Sequence, residues 1–128
     1  MLQRNIVFSC IARSDDIKFL GIDLKQVELS KYSIFSDAVL GIGTTLEDAV
    51  EILRFANDTM QSRYTSMKKM GYNDFKSIPN HGPAIMVMID EAGQLLDMSG
   101  GKGSDAAKAE QELKGEAQSI IGQIARLG

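Results

Sequence analysis

The sequence predicts an α/β fold, a mainly parallel sheet whose strands are joined by crossover helices. Three observations carry this. Ala84-Ile85-Met86-Val87-Met88-Ile89 is a short apolar run that ends abruptly in Asp90-Glu91. A run of that length reads as a strand buried on both faces, as in a parallel sheet covered by helices. From Leu46 to Met67 the apolar residues recur at helical spacing instead. The predicted elements then alternate as α-β-(β)-α-β-α, an order that builds parallel sheets.

Taken in order, Leu2 to about Arg13 reads as a short helix, broken by Ser14-Asp15-Asp16. Ile17 to Asp23 reads as a buried strand that ends in an acid, and Leu24 to Ser36 as irregular chain. Ala38-Val39-Leu40-Gly41-Ile42 suits a short strand. The next segment has the clearest signals. Thr44 with Glu47 and Thr45 with Asp48 form two overlapping capping boxes. Leu46, Val50, Leu53, Ala56, Met60, Tyr64 and Met67 then mark an amphipathic helix, and Gly71 supplies its stop. Asp74 to Pro83 is a loop holding both prolines, and the strand ending at Asp90 follows. Met98 to Ser104 reads as a glycine-rich exposed loop. A last helix runs from Ser104 or Asp105 to Leu127, with Leu113, Ala117, Ile120, Ile124 and Leu127 on one stripe.

The chain has 128 residues, 44% hydrophobic and 24% charged, which suits one domain with a real core. No apolar run approaches the roughly 20 residues of a membrane span, and the N-terminus lacks the pattern of a signal peptide. Cys10 is the only cysteine, so no internal disulfide forms, and it reads as a small buried residue of a reducing cytosol. One His and one Cys exclude a zinc site of the usual kind. His81 carries no assigned role. The net charge is −3 with no basic block, which argues against a simple DNA-binding module.

Chemistry is expected at Asp90 and Glu91. Acids at the carboxyl end of a buried parallel strand lie where open α/β sheets bind ligands. In nucleotide hydrolases such a pair is the Walker B element, in which the first acid holds Mg²⁺ and the second orients or deprotonates the attacking water. The glycine loop invites a different reading, as a phosphate loop. That motif requires Gly-x-x-x-x-Gly-Lys-Ser/Thr. Here Gly103 follows Gly101-Lys102 and Leu96 occupies the upstream glycine position, so the match fails.

Four segments resemble the FtsK/SpoIIIE family of DNA translocases. Ile17-Lys18-Phe19-Leu20-Gly21-Ile22-Asp23-Leu24-Lys25-Gln26-Val27-Glu28-Leu29-Ser30 is similar to that family's Ile-Asp-Pro-Lys segment with its following Glu-Leu, with Leu24 in place of the proline. Thr45 to Tyr64, ending Met60-Gln61-Ser62-Arg63-Tyr64, resembles the helix carrying a Met-Glu-Arg-Arg-Tyr signature. Ile85 to Leu96 matches the Walker B strand, and Ile121 to Gly128 resembles the helix before the last core strands. The resemblance covers nearly the whole chain. It implies a partial RecA-like P-loop NTPase core over residues 1–128, a single motor segment from the helix after the phosphate loop to the helix after Walker B. Such a segment without the loop is expected to bind nucleotide weakly on its own.

The resemblance also implies roles. Asp90 is the Mg²⁺-side carboxylate and Glu91 the water-activating base. Asp23 and Lys25 lie near the nucleotide or a subunit interface, with an Asp–Lys surface pair as the other reading. Arg63 reaches a neighbouring subunit's nucleotide in trans, or is a helix charge near Asp58 or Glu51; Arg126 has the same two readings. Lys102 is a pore lysine on DNA or a solvated loop charge. Gln118 and Ser119 stand where the family often has acids, and Gln123 where an arginine is common. ATP and Mg²⁺ are the implied cofactors of the intact motor. The implied partners are double-stranded DNA and further copies in a hexameric ring, with a cytoplasmic location and no membrane contact by this segment. Two other functions fit the same residues, a catalytically inactive α/β interaction domain and a related secretion or conjugation ATPase.

Overall fold

Helix α1 (Leu2–Ala12) leads through a tight turn into strand β1 (Ile17–Asp23) in the computed structural model, which describes residues 2–97 and 103–127. A 3₁₀ turn (Ser30–Ile34) then precedes β2 (Val39–Gly43), and helix α2 (Leu46–Lys69) returns the chain to the opposite edge. A second 3₁₀ turn (Phe75–Ser77), strand β3 (Ala84–Asp90), a one-turn helix α3 (Gly93–Leu96) and the long α4 (Asp105–Leu127) complete the order. The three strands are all parallel, in the order β2-β1-β3. This is the α/β class expected from the sequence, and it is consistent with a partial RecA-like P-loop core.

The sheet is covered on both faces because β1 and β3 alternate apolar side chains up and down. Ile22, Val87 and Ile89 meet α2, α3 and α4 in a core built on Val50, Leu53, Leu95, Ala117 and Ile120. Phe19, Val39 and Met88 turn the other way, onto Val7 and Cys10 of α1 and onto Leu29 and Tyr32. Cys10 is 1% exposed, as expected of a small core residue.

The local signals explain the ends of the helices. At the start of α2 the Thr45 hydroxyl accepts from the Asp48 N–H while the Asp48 carboxylate accepts from the Thr45 N–H, a complete capping box. The second predicted box, Thr44 with Glu47, does not form, because Thr44 gives its backbone N–H to the same Asp48 carboxylate. At the far end Gly71 takes φ +76°, and Gly71 and Tyr72 donate to the carbonyls of Lys68 and Met67, the paired bonds of a Schellman stop. Ser104 caps α4 by accepting from the Ala107 N–H.

One expectation needs correction. β3 is not buried on both faces. It pairs with β1 alone among the described strands, so it is an edge, and Met86 is 36% exposed. The central strand is β1, which runs fully buried from Phe19 to Asp23. The crossover from β1 to β2 is the irregular chain expected there, from Leu24 to Ala38, with one 3₁₀ turn. Leu29 and Tyr32 bury it against α1, so it covers the sheet as a helix would.

Candidate functional site

The carboxyl edge of the sheet is assembled by strand register. Asp23 and Asp90 are direct partners across β1 and β3, and neighbouring strands lie about 4.8 Å apart. Both acids therefore leave the sheet at one level, with Lys25 and Glu91 just beyond them. The four charged residues expected at the carboxyl edge, Asp23, Lys25, Asp90 and Glu91, thus come from two neighbouring strand ends.

Asp23 is completely buried, and its carboxylate is spent on its own loop. It accepts from the N–H of Val27 at 3.3 Å, of Leu29 at 2.9 Å and of Ser30 at 3.2 Å, and from the Ser30 hydroxyl at 3.2 Å. Burial alone would raise the Asp23 carboxyl. The donated hydrogen bonds from Leu29, Val27 and Ser30 outweigh it, so the group sits below the ordinary carboxylate value. The loop it clamps includes Gln26 in the left-handed region at φ +57°. Asp23 does not pair with Lys25.

Lys25 pairs instead with Glu91, Nζ to Oε2 at 2.5 Å, with both side chains about half exposed. The hydrogen bond to Glu91 holds the ammonium above its usual range, and the charges of Glu91 and Asp90 add to that against desolvation. Glu91 has φ +53°, a left-handed conformation rare for a residue with a side chain. The strain lies in the sharp exit from β3, where the chain must drop at once into α3 so that Leu95 reaches the core with no exposure. Asp90 sits half-buried at the strand end.

Helix α4 buttresses this exit. The Gln118 amide donates to the carbonyl of Leu95 at 3.3 Å, and the Lys114 ammonium to that of Asp97 at 3.0 Å, satisfying groups left open at the end of α3. Gln118 thus has a structural partner where the family pattern has an acid. Gln123 likewise accepts from the Asn57 amide across the α2–α4 interface. Neither role is legible in the sequence, since each depends on which helix faces which. A groove of about 730 Å³ opens on the same side of the molecule, lined by Leu24, Thr44, Glu47, Gln94 and Lys114. It adjoins the acids without including them.

Arg63 is placed elsewhere. Helix α2 begins at the carboxyl edge and runs back along the sheet, so Arg63 lies some 27 Å along it at about 1.5 Å per residue. Its guanidinium stacks over the Phe75 ring at 4.7 Å, beside a groove of about 510 Å³ formed with Met60, Ile85 and Leu127. Arg126 is exposed in the last turn of α4. Within one chain, neither arginine meets Asp90 or Glu91. Lys102, with the rest of Met98 to Lys102, lies outside the described residues.

The donor set bears on Mg²⁺. Among the described residues no three Asp, Glu, His or Cys side chains group closely enough to hold a metal ion by themselves. Mg²⁺ at phosphoryl-transfer sites commonly takes one or two carboxylates together with substrate phosphates and water. Asp90 meets that smaller demand, whereas Asp23 has no accessible oxygen left to give. Among the described residues no helix is long and apolar enough to cross a membrane.

Comparison with known proteins agrees with this geometry. The model of the FtsK/SpoIIIE family matches residues 1–127. The DNA translocase FtsK of Streptococcus pneumoniae is 29% identical over 111 residues, covering 74% of this chain and 14% of that protein. The DNA translocase FtsK of Streptococcus pyogenes serotype M3 is 32% identical over 111 residues with the same coverage. That of Leptospira interrogans serovar copenhageni is 29% identical over 104 residues, 72% of this chain and 11% of the relative. The chain therefore spans between about one ninth and one seventh of the length of these relatives. No solved structure matches it. A parallel sheet, an acid pair at its carboxyl edge and a family match over nearly every residue lead to one conclusion: the chain belongs to the FtsK/SpoIIIE family.

Proposed function

We propose that residues 1–128 form one segment of the ATPase domain of a double-stranded DNA translocase, with Asp90 and Glu91 as its Walker B pair. The observation that carries this reading is the position of the pair, at the carboxyl edge of a parallel sheet in a family whose curated members are named DNA translocases. Asp90 would hold Mg²⁺ directly or through water, and the ion would neutralise charge on the phosphate oxygens of ATP. Glu91 orients a water and takes its proton. The water oxygen bonds to the γ-phosphorus, the bond from that phosphorus to the β–γ bridging oxygen breaks, and ADP leaves with inorganic phosphate. Arg63 acts, if in a hexameric ring, across the subunit boundary, since its place at the amino edge of the sheet separates it from the acids of its own chain.

The 128 residues contain no Gly-x-x-x-x-Gly-Lys-Ser/Thr motif. The β- and γ-phosphates therefore need donors from outside this sequence. A second reading is an interaction domain that does not hydrolyse ATP. Glu91→Gln in the intact protein decides between them. Loss of a general base lowers kcat about 100-fold or more, with ATP binding and the DNA-free fold retained. Turnover at the parental rate would remove Glu91 from the reaction.

A further inference from the structure

We propose that Lys25 is a positioning residue, which holds the Glu91 carboxylate in an ion pair across the sheet edge and releases it when the phosphate oxygens of a bound nucleoside triphosphate draw the ammonium away. The inference deepens the proposed function and rests on Glu91 being its base. It makes the availability of that base depend on arrival of the substrate.

The pair is built rather than incidental. Lys25 is carried by a loop that a buried carboxylate clamps through four hydrogen bonds. Desolvating a carboxylate is costly, and here the whole return on Asp23 is the shape of residues 24–30. Glu91 is held in a left-handed conformation that its side chain disfavours. In the loop of Lys25 the left-handed residue is its neighbour Gln26, and the two chain segments meet at Lys25 Nζ to Glu91 Oε2, 2.5 Å apart. While that contact stands, Oε2 accepts a hydrogen bond from the Lys25 ammonium and the Glu91 carboxylate is held toward Lys25.

The pair is also exchangeable. Lys25 and Glu91 are 49% and 51% exposed, so a ligand at the carboxyl edge reaches both. Exposed pairs of this kind are weakly held. An ammonium is a compact point charge on a flexible stem and follows the denser anion. A triphosphate carries more charge than one carboxylate, so Lys25 moves to it and Glu91 is freed for water.

The test is the rate at which Lys25 is acetylated by an amine-reactive reagent, read by peptide mass spectrometry in the intact protein. Exposed Lys108 serves as the internal reference. Without nucleotide, Glu91→Gln speeds Lys25 acetylation about twofold to fivefold, the range for an exposed ion pair, and leaves Lys108 unchanged. With a slowly hydrolysed ATP analogue and Mg²⁺, wild type and Glu91→Gln acetylate Lys25 at equal rates, because the pair is open in both. Lys25→Met removes the ammonium that the phosphates draw and raises KM for ATP, and an unchanged KM would overturn the transfer of Lys25 to the phosphates. Equal acetylation rates without nucleotide would overturn the pair. A rate ratio that persists with the analogue would overturn its release. Hydrolysis that survives Glu91→Gln removes the base reading alone, since the acetylation rates still report on the pair.

Discussion

The buried carboxylate of Asp23 sets the shape of the loop that carries Lys25, and its removal has a calculable cost. In Asp23→Ala the acceptor for three backbone N–H groups and one hydroxyl disappears. These losses are unequal. Val27 is 62% exposed, so its N–H finds water. Leu29 is fully buried, and its N–H, which donates to Asp23 Oδ2 at 2.9 Å, bears the whole desolvation penalty once that oxygen is gone. Ser30 lies between. With about 1–3 kcal/mol for each buried donor left unsatisfied, two such donors give a loss of about 4 kcal/mol. Asp23→Asn is milder. Its amide oxygen still accepts from Leu29 and Ser30, but its NH₂ group faces the Val27 N–H and the charge is gone, for about 2 kcal/mol. Urea unfolding followed by circular dichroism measures both. At a slope of about 2 kcal/mol/M the midpoints fall by about 2 M and 1 M with the slope unchanged. The pH dependence adds a second check. The Asp23 carboxyl titrates lower in the folded protein than in the unfolded chain. Its contribution is therefore complete above the unfolded value of about 3.9 and is lost as pH falls through the lower folded value. The gap between wild type and Asp23→Asn must hold from pH 7 to about 4 and shrink below that. A cost under about 0.5 kcal/mol for Asp23→Ala, or a gap that widens in acid, would refute the account of Asp23 as the clamp of residues 24–30.

Three further variants test the connection from β2 into α2. A methyl group at Gly43 would lie 2.8 Å from Ile52 Cδ1 and 2.9 Å from Asp48 Cβ; the isoleucine tip can turn aside but the first turn of α2 cannot, so Gly43→Ala costs about 1–3 kcal/mol, seen as a lower Tm. Thr45→Ala removes the hydroxyl of the capping box and costs about 1 kcal/mol in urea unfolding. Thr44→Ala, whose backbone alone serves Asp48, stays within about 0.5 kcal/mol, and an equal loss at both positions would restore the second box.

The elements were largely legible because their signals are local. The Thr45–Asp48 box, the Gly71 stop and the apolar stripe of α2 act within a few residues of chain, so the sequence predicts them with their ends. The parallel pairing followed from the alternation of element types. The one-turn helix α3 is not legible because four residues carry no period; the burial of Leu95 against α4 and the Gln118 and Lys114 bonds to its last carbonyls hold it. The candidate site divides in the same way. Asp90-Glu91 stood out as charge ending an apolar run, a pattern visible in one dimension.

Partnership was not visible in that dimension. Asp23 and Lys25, two residues apart, suggested a pair with each other, yet one turns inward to its own loop and the other crosses to Glu91. Strand register decides this, since β1 lies beside β3 with Asp23 opposite Asp90. The separation of Arg63 from the acids has the same origin, because the direction of α2 along the sheet follows only from packing. By itself, then, the sequence determined the element types, the helix caps, the acid pair and the family. The tertiary structure alone decided which strand is central, what each charge touches and which edge of the sheet each residue occupies, because those depend on contacts between residues far apart in the chain, and local propensity carries no information about them.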